Sequence, residues 1–254
     1  MSVPTGQLVG KTAVVTGSSR GIGQAIALEL AEAGAAVLVH GWRHPEEARV
    51  AAETIRQKGR EVLVVLADLA DPSQQDRLVE EAWQWRQGVD IWINNAGADV
   101  LTGQALNWPF EQRLEALWRL DVVATIRLSR QVGQRMKRAG QGVIVNVGWD
   151  GVHRGIETDG GQLFAAAKGA VMAFSRSLAR ALAPQVRVLC IAPGWIRTQW
   201  AQQASDFWQQ RAIQECLLGR WGTPQDVANL VRFVVSPEAS FLTGQIIEIN
   251  GGTR

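Results

Sequence analysis

Residues 16–23 read Thr16-Gly17-Ser18-Ser19-Arg20-Gly21-Ile22-Gly23. The run that leads into them, TAVVT at 12–16, is short, apolar and rich in β-branched side chains, the composition of a buried strand. The run that follows, 21–33, carries helical periodicity. Gly17 permits a sharp turn, Gly21 a close approach of backbone to ligand, and Gly23 tight packing of helix on strand. The unpaired N–H groups and positive dipole end of the helix then face an anion. Strand, glycine turn and helix in that order predict a phosphate-binding corner.

Outward from this corner the chain keeps alternating short apolar runs with longer amphipathic ones. Strands are expected at 36–40, 62–66, 91–93, 143–147, 186–191 and 246–249. Helices are expected at 45–58, 72–86, 111–117, 118–138, 162–182 and 224–235. The strands are apolar throughout, as in a sheet covered on both faces. Strand–helix repetition with right-handed crossovers gives an α/β fold, a Rossmann-type doubly wound parallel sheet of about seven strands. No linker or repeat divides the chain, so residues 1–254 read as a single dinucleotide-binding domain. Residues 195–221, rich in Gln and Trp, read as a mobile helical flap over a substrate pocket.

Hydrophobic residues make up 46% and charged residues 20%, enough to build a core and unlike a disordered or coiled-coil chain. A net charge of +2 without a Lys/Arg block gives no footprint for nucleic acid or an anionic membrane. The two cysteines form no disulfide framework, and the first residues lack a signal-peptide apolar region, so a cytoplasmic location is expected. His40, His44 and His153 lack metal-ligand spacing, and no metal is expected. There are 11 Trp and no Tyr, which limits the available acid–base chemistry.

The pattern Thr16-Gly-x-x-x-Gly-x-Gly23 resembles the cofactor fingerprint of the short-chain dehydrogenase/reductase family. Further matches follow in order: Asp68-Leu69, Asn94-Asn95-Ala96-Gly97, Phe164-Ala-Ala-Ala-Lys168, Pro193-Gly194, and Thr243-Gly244 through Gly251-Gly252. The resemblance implies that Asp68 contacts the adenine, that the turn 94–97 lines the cofactor channel, and that Pro193-Gly194 borders the nicotinamide. The candidate cofactor contacts are Gly17, Ser19, Arg20, Gly21, Ile22, Gly23, His40, Arg43, Asp68, Leu69, Asn95, Ala96, Gly97, Lys168, Pro193, Gly194 and Ile196. The family's dimers and tetramers imply self-association through its long helices and C-terminal strand.

An NAD site places a carboxylate near the end of the second strand to accept the ribose 2′-OH. Here that stretch is Val37-Leu38-Val39-His40-Gly41-Trp42-Arg43-His44, with no acid before Glu46. Arg43 and Arg20 can instead fork onto a 2′-phosphate, so NADP(H) is the expected cofactor.

The resemblance also implies a Tyr acid, a Lys that assists it, a Ser that polarises the substrate oxygen and an Asn that supports a water chain. Only Lys168 is retained. Phe164 stands at the Tyr position, Asp121 aligns with the Asn, and Gly148-Trp149-Asp150-Gly151 contains no hydroxyl where the Ser would fall. A positioned general acid is worth roughly 10²–10⁴ in rate, so simple ketone reduction is expected to be slow. A carboxylate at Asp150 would favour a cationic hydride acceptor such as a protonated C=N. The family's pteridine reductases resemble this pattern in having Asp for Ser, and 40–43 and 182–188 also look like theirs, although they keep the Tyr. Trp149, Trp195, Trp200 and Trp208 are candidate flat walls for a heteroaromatic substrate. The expectation is an NADPH-dependent reductase of a C=N or other activated double bond. Carbonyl or 3-oxoacyl reduction with another proton source, and a non-catalytic NADP-binding subunit, stand as alternatives.

Overall fold

The computed structural model describes residues 6–253, apart from the side chains of Trp200 and Gln202. Seven parallel strands form one sheet in the order β3-β2-β1-β4-β5-β6-β7. They are β1 (Thr12–Val15), β2 (Ala36–Gly41), β3 (Val62–Leu66), β4 (Ile91–Asn94), β5 (Gly142–Val147), β6 (Val186–Pro193) and β7 (Ile246–Ile249). The central strands β1, β2 and β4 are buried at every residue, as their unbroken apolar runs require, while the edge strands β3 and β7 are partly open. The order reverses between β1 and β4, which opens a crevice at the C-terminal ends of these strands.

Helices cover both faces. α1 (Gly21–Glu32), α2 (Pro45–Gln57) and α9 (Pro224–Val235) build one core with β1 and β2 around Ile26, Leu30 and Val231. α3 (Pro72–Arg86), α5 (Thr125–Ala139) and α6 (Asp159–Leu182) build the other around Leu78, Leu128 and Leu182. Local chemistry fixes the helix starts. Asp71 caps α3 by accepting from the Ser73 N–H, and Thr223 and Asp226 form a reciprocal capping box on α9. Proline occupies the first turn of α2, α3 and α9, where its missing N–H costs nothing.

Two regions depart from the sequence expectation. The two helices expected at 111–117 and 118–138 are joined: α4 (Phe110–Leu117) runs into a π-helical segment, Trp118–Ala124, and on into α5. A wide turn of this kind turns side chains out of the helical repeat and often marks a functional position. The expected flap carries two helices, α7 (Gln199–Gln203) and α8 (Asp206–Glu215), and then pairs with the C-terminal segment through Cys216 and Thr253. Among the described residues no helix is long and apolar enough to cross a membrane.

Candidate active site

The glycine turn is stitched to both neighbouring strands. Ser18 donates its hydroxyl to Val15 O and accepts the His40 N–H, which fastens the turn to β2. Thr16 Oγ1 accepts the N–H groups of Asn95 and Ala96, and Asn95 Nδ2 donates to Thr16 O and Gly17 O. Gly17 has φ +63°, and a Cβ there would lie 2.8 Å from Ala96 Cα. A Cβ on Gly23 would lie 2.2 Å from Gly17 O. The first-turn N–H groups of α1 have no intrahelical partner, Arg20 provides no side-chain cap, and no acid stands in that turn. The corner fits a pyrophosphate on these grounds.

The turn forms one wall of a cleft of about 1000 Å³. Ser19, Arg20 and Gly21 lie on that wall, and Ala98, Phe164, Arg197 and Gln199 on the other. Arg20 crosses to the flap and donates to Gln199 Oε1 at 3.0 Å. Glu47 also lines the cleft, so its lining carries mixed charge. Arg43 is exposed and stacks its guanidinium 4.2 Å above the Trp42 ring. Ile22 is half-buried at the start of α1, and Gly97 is exposed beside the cleft wall.

Several expected cofactor contacts also serve as supports. His40 is buried under the turn: Nδ1 accepts the Gly17 N–H at 2.9 Å and Nε2 faces Ala67 O at 3.0 Å. Burial pushes its pKa from 6.5 down to about 4, which keeps the ring neutral and suited to that acceptor role. Leu69 and Ile196 direct their side chains into the core clusters, so only their backbones can face a ligand. Asp68 accepts the Ala70 N–H and its own N–H donates to Gln74, shaping the entry to α3. Pro193 ends β6, and the Gly194 N–H donates to Ile249 O, which sets the following loop beside β7.

Further along, α6 presents Phe164 and Lys168 one turn apart. Trp149, not Asp150, meets Phe164: the ring centroids are 6.3 Å apart at 65°. Trp149 is extended (φ −157°, ψ 133°), and the chain enters a 3₁₀ turn at Asp150. Asp150 is buried; Arg154 donates to Oδ2 at 2.9 Å and Asn250 at 3.2 Å. Burial pushes the Asp150 carboxyl up, and Arg154 and Asn250 pull it partly back. The carboxylate expected beside the hydride acceptor is thus held by Arg154 and Asn250 and does not meet Phe164. Asp121, in the π-helical segment, holds Lys168 Nζ at 2.7 Å and accepts the Ala98 N–H at 2.8 Å.

The flap tryptophans also differ from expectation. Trp195 packs on Trp208 (5.6 Å) and on Trp221 (5.8 Å), so these rings form the flap's own core rather than an open wall. Trp195 Nε1 donates to Glu215 at 2.9 Å, and Arg211 and Arg154 meet the same carboxylate. Burial alone would raise the Glu215 pKa, but the hydrogen bonds from Arg211 and Trp195 bring it below the usual carboxylate value. The Trp200 side chain lies outside the described residues. His153 is exposed, and Glu157 is tied to Arg211. Among the described residues no cluster of His, Cys, Asp or Glu could hold a metal.

A parallel sheet reversing between β1 and β4, with a glycine turn at the reversal and a cleft above it, defines a dinucleotide-binding α/β protein. Within that class, the chain belongs to the short-chain dehydrogenase/reductase family of oxidoreductases. The family model described as enoyl-(acyl carrier protein) reductase matches residues 17–254. The 3-oxoacyl-(acyl-carrier-protein) reductase FabG of Aquifex aeolicus is 33% identical over 252 residues, covering 97% of this chain and 98% of that protein. The FabG of Vibrio cholerae is 34% identical over 247 residues, with 96% and 98% covered. A short-chain dehydrogenase of Burkholderia cenocepacia, solved in complex with NADP, superposes with a TM-score of 0.88 at 32% identity, covering 97% of this chain and 98% of that one.

Proposed function

We propose that the protein is an NADP(H)-dependent reductase whose acceptor arrives already activated: a protonated C=N, as in an imine or a pterin-like ring, or another polarised double bond. The observation that carries this reading is the Trp149–Phe164 ring pair, two apolar rings where the resemblance to the family implies two hydroxyls. Asp150 and Lys168, the nearby groups with protons to give, are engaged by Arg154 and Asp121. Bound nicotinamide supplies the hydride. An acceptor that is already protonated needs no further acid as hydride arrives, whereas a ketone does.

The first turn of α1 would hold the pyrophosphate, Arg20 and Arg43 a 2′-phosphate, and Lys168 the nicotinamide ribose. The absence of an acid between Val37 and His44, and the NADP in the Burkholderia relative, support this choice of cofactor. Half-buried Trp149 and Phe164 give the substrate a flat apolar floor. Exposed apolar side chains before α5 (Trp118, Val123) and near β7 (Phe233, Phe241) support self-association.

The activity for which the two FabG relatives are named favours a second reading, 3-oxoacyl reduction with the proton drawn from solvent. NADPH oxidation measured with a cyclic imine, a dihydropterin and a 3-oxoacyl thioester separates the two. The first reading expects turnover of an imine or pterin to exceed that of the thioester by about 10²-fold. The opposite order supports the second. Tight NADPH binding without turnover of any of the three would leave a cofactor-binding subunit.

A further inference from the structure

The wall of the cleft that carries Phe164 also carries Arg197, in the segment that follows β6. The backbone there is pinned. The Arg197 N–H donates to Gly222 O at 2.8 Å, and the Gly222 N–H donates to Trp195 O at 2.9 Å. Ile196, the preceding residue, is buried in the core, and a Cβ on Gly222 would lie 2.5 Å from its Cδ1. Arg197 itself is exposed, so a fixed backbone presents a free side chain to the cleft.

The other charges of the lining are answered from within the protein. Asp99 accepts the N–H groups of Leu101 and Thr102 and the Thr102 hydroxyl. Glu46 pairs with Arg49, Glu47 lies 3.7 Å from His44 Nδ1, and Arg20 donates to Gln199. Among the described residues the Arg197 guanidinium meets neither a carboxylate nor a hydrogen-bond acceptor. A guanidinium stays charged at every working pH, and its planar fork of donors matches a carboxylate or a phosphate.

We propose that Arg197 is a specificity-determining residue: it receives an anionic substituent of the acceptor, a carboxylate or a phosphate, while the reacting ring lies on Trp149 and Phe164. The inference rests on the reductase reading and deepens it, by adding a negative arm to the polarised double bond that defines the substrate class. The cofactor's own phosphates compete for this cation. The first turn of α1, Arg20 and Arg43 serve those, so the two claims are separable by experiment.

Two measurements on the full chain test the proposal. The first is kcat/KM with NADPH for a cyclic imine and for the same ring bearing a carboxylate or a phosphate. It is made on the unmodified protein and on Arg197→Ala, Arg197→Lys and Arg197→Glu. A charged arm alters the ring's own reactivity, so the ratio of charged to uncharged acceptor is compared between proteins. Arg197→Ala should lower that ratio about tenfold or more, and Arg197→Lys should lose only part of it. Arg197→Glu should turn the preference toward a ring with an ammonium arm, an inversion that lost packing alone would not give. The second measurement is isothermal titration of the corresponding saturated rings into the NADP⁺-loaded protein, which needs no turnover. The anionic ring should bind the unmodified protein about tenfold more tightly than it binds Arg197→Ala. Whichever of carboxylate and phosphate binds more tightly identifies the source of the anion.

A charge ratio unmoved in Arg197→Ala and Arg197→Glu overturns the proposal. So does a loss in Arg197→Ala that falls on NADPH affinity alone, which would assign the guanidinium to the cofactor. Imine turnover with an unmoved ratio keeps the reductase reading and removes this one. Absent turnover with Arg197-dependent binding of the anionic ring keeps the anion site and removes the reductase reading. Neither turnover nor binding overturns both.

Discussion

The indole of Trp149 meets the phenyl ring of Phe164 edge to face, with the two planes inclined by 65°. An edge-to-face contact adds about 0.5–1.5 kcal/mol beyond the apolar area it buries, so the pair is a stable floor for the site. A hydroxyl restored at position 164 would therefore emerge from a ring packed against an indole, with Lys168 tied to Asp121.

Phe164→Tyr alone should raise ketone reduction less than about tenfold, far below the usual worth of a positioned acid. Trp149→Ser, Phe164→Tyr and Asp121→Asn together should raise it by about 10²-fold or more. The measurement is NADPH oxidation with a simple ketone. A full gain from the tyrosine alone would mean that the aromatic pair obstructs nothing.

The Asp121–Lys168 pair also makes a stability prediction. Lys168→Met leaves a buried carboxylate without its counter-charge, which typically costs about 3–5 kcal/mol. Replacing both partners, as in Asp121→Leu/Lys168→Met, should recover at least half of that loss, because apolar groups of similar volume carry no desolvation penalty. Urea denaturation of the two single variants and the double variant checks it. Additive losses would show that the two side chains act independently.

The strands were legible because periodicity and apolar runs report burial directly, and β3, β7, α3 and α9 fall at the residues expected. The site was legible where a motif is local, as at Gly17, Gly21 and Gly23. It was less legible where function depends on side-chain direction. Trp149 and Asp150 are neighbours in sequence, and the backbone there, extended at 149 and entering a 3₁₀ turn at 150, decides which one meets Phe164. The direct grip of Asp121 on Lys168 depends on a π-helical turn that no periodicity announces. Arg154, Glu215 and Asn250, which engage Asp150 and the flap, come from distant segments and carry no motif.

His40 makes stability depend on pH. The folded protein keeps the ring neutral down to about pH 4, while the unfolded chain takes up a proton near the ordinary value of 6.5. The unfolded state thus binds more protons between these limits, and stability falls as pH drops through that window. The full loss, reached near pH 4, is about 3 kcal/mol for a shift of this size. Above pH 6.5 the contribution is complete. Urea midpoints at neutral and mildly acid pH should show the decline, and His40→Gln should flatten it. An unchanged slope in that variant would place the acid sensitivity elsewhere.

Under the NADP(H) reading, cofactor preference turns on two guanidinium groups, Arg20 on the cleft wall and Arg43 in the turn after β2. Arg43 is held over the Trp42 ring, and Arg20 reaches across to Gln199, so both forks are partly oriented. Arg43→Ala should weaken NADPH binding about tenfold and leave NADH within about twofold, since only the phosphorylated cofactor offers the charge-assisted bonds it removes. Arg43→Lys should recover part of the loss and no more, because an ammonium neither forks onto a phosphate nor stacks on an indole as a guanidinium does. Arg20→Ala should weaken both cofactors, because it also releases the flap at Gln199. Fluorescence titrations of the four proteins with each dinucleotide decide the matter, and tighter binding of NADH than NADPH by the unmodified chain would reverse the cofactor assignment.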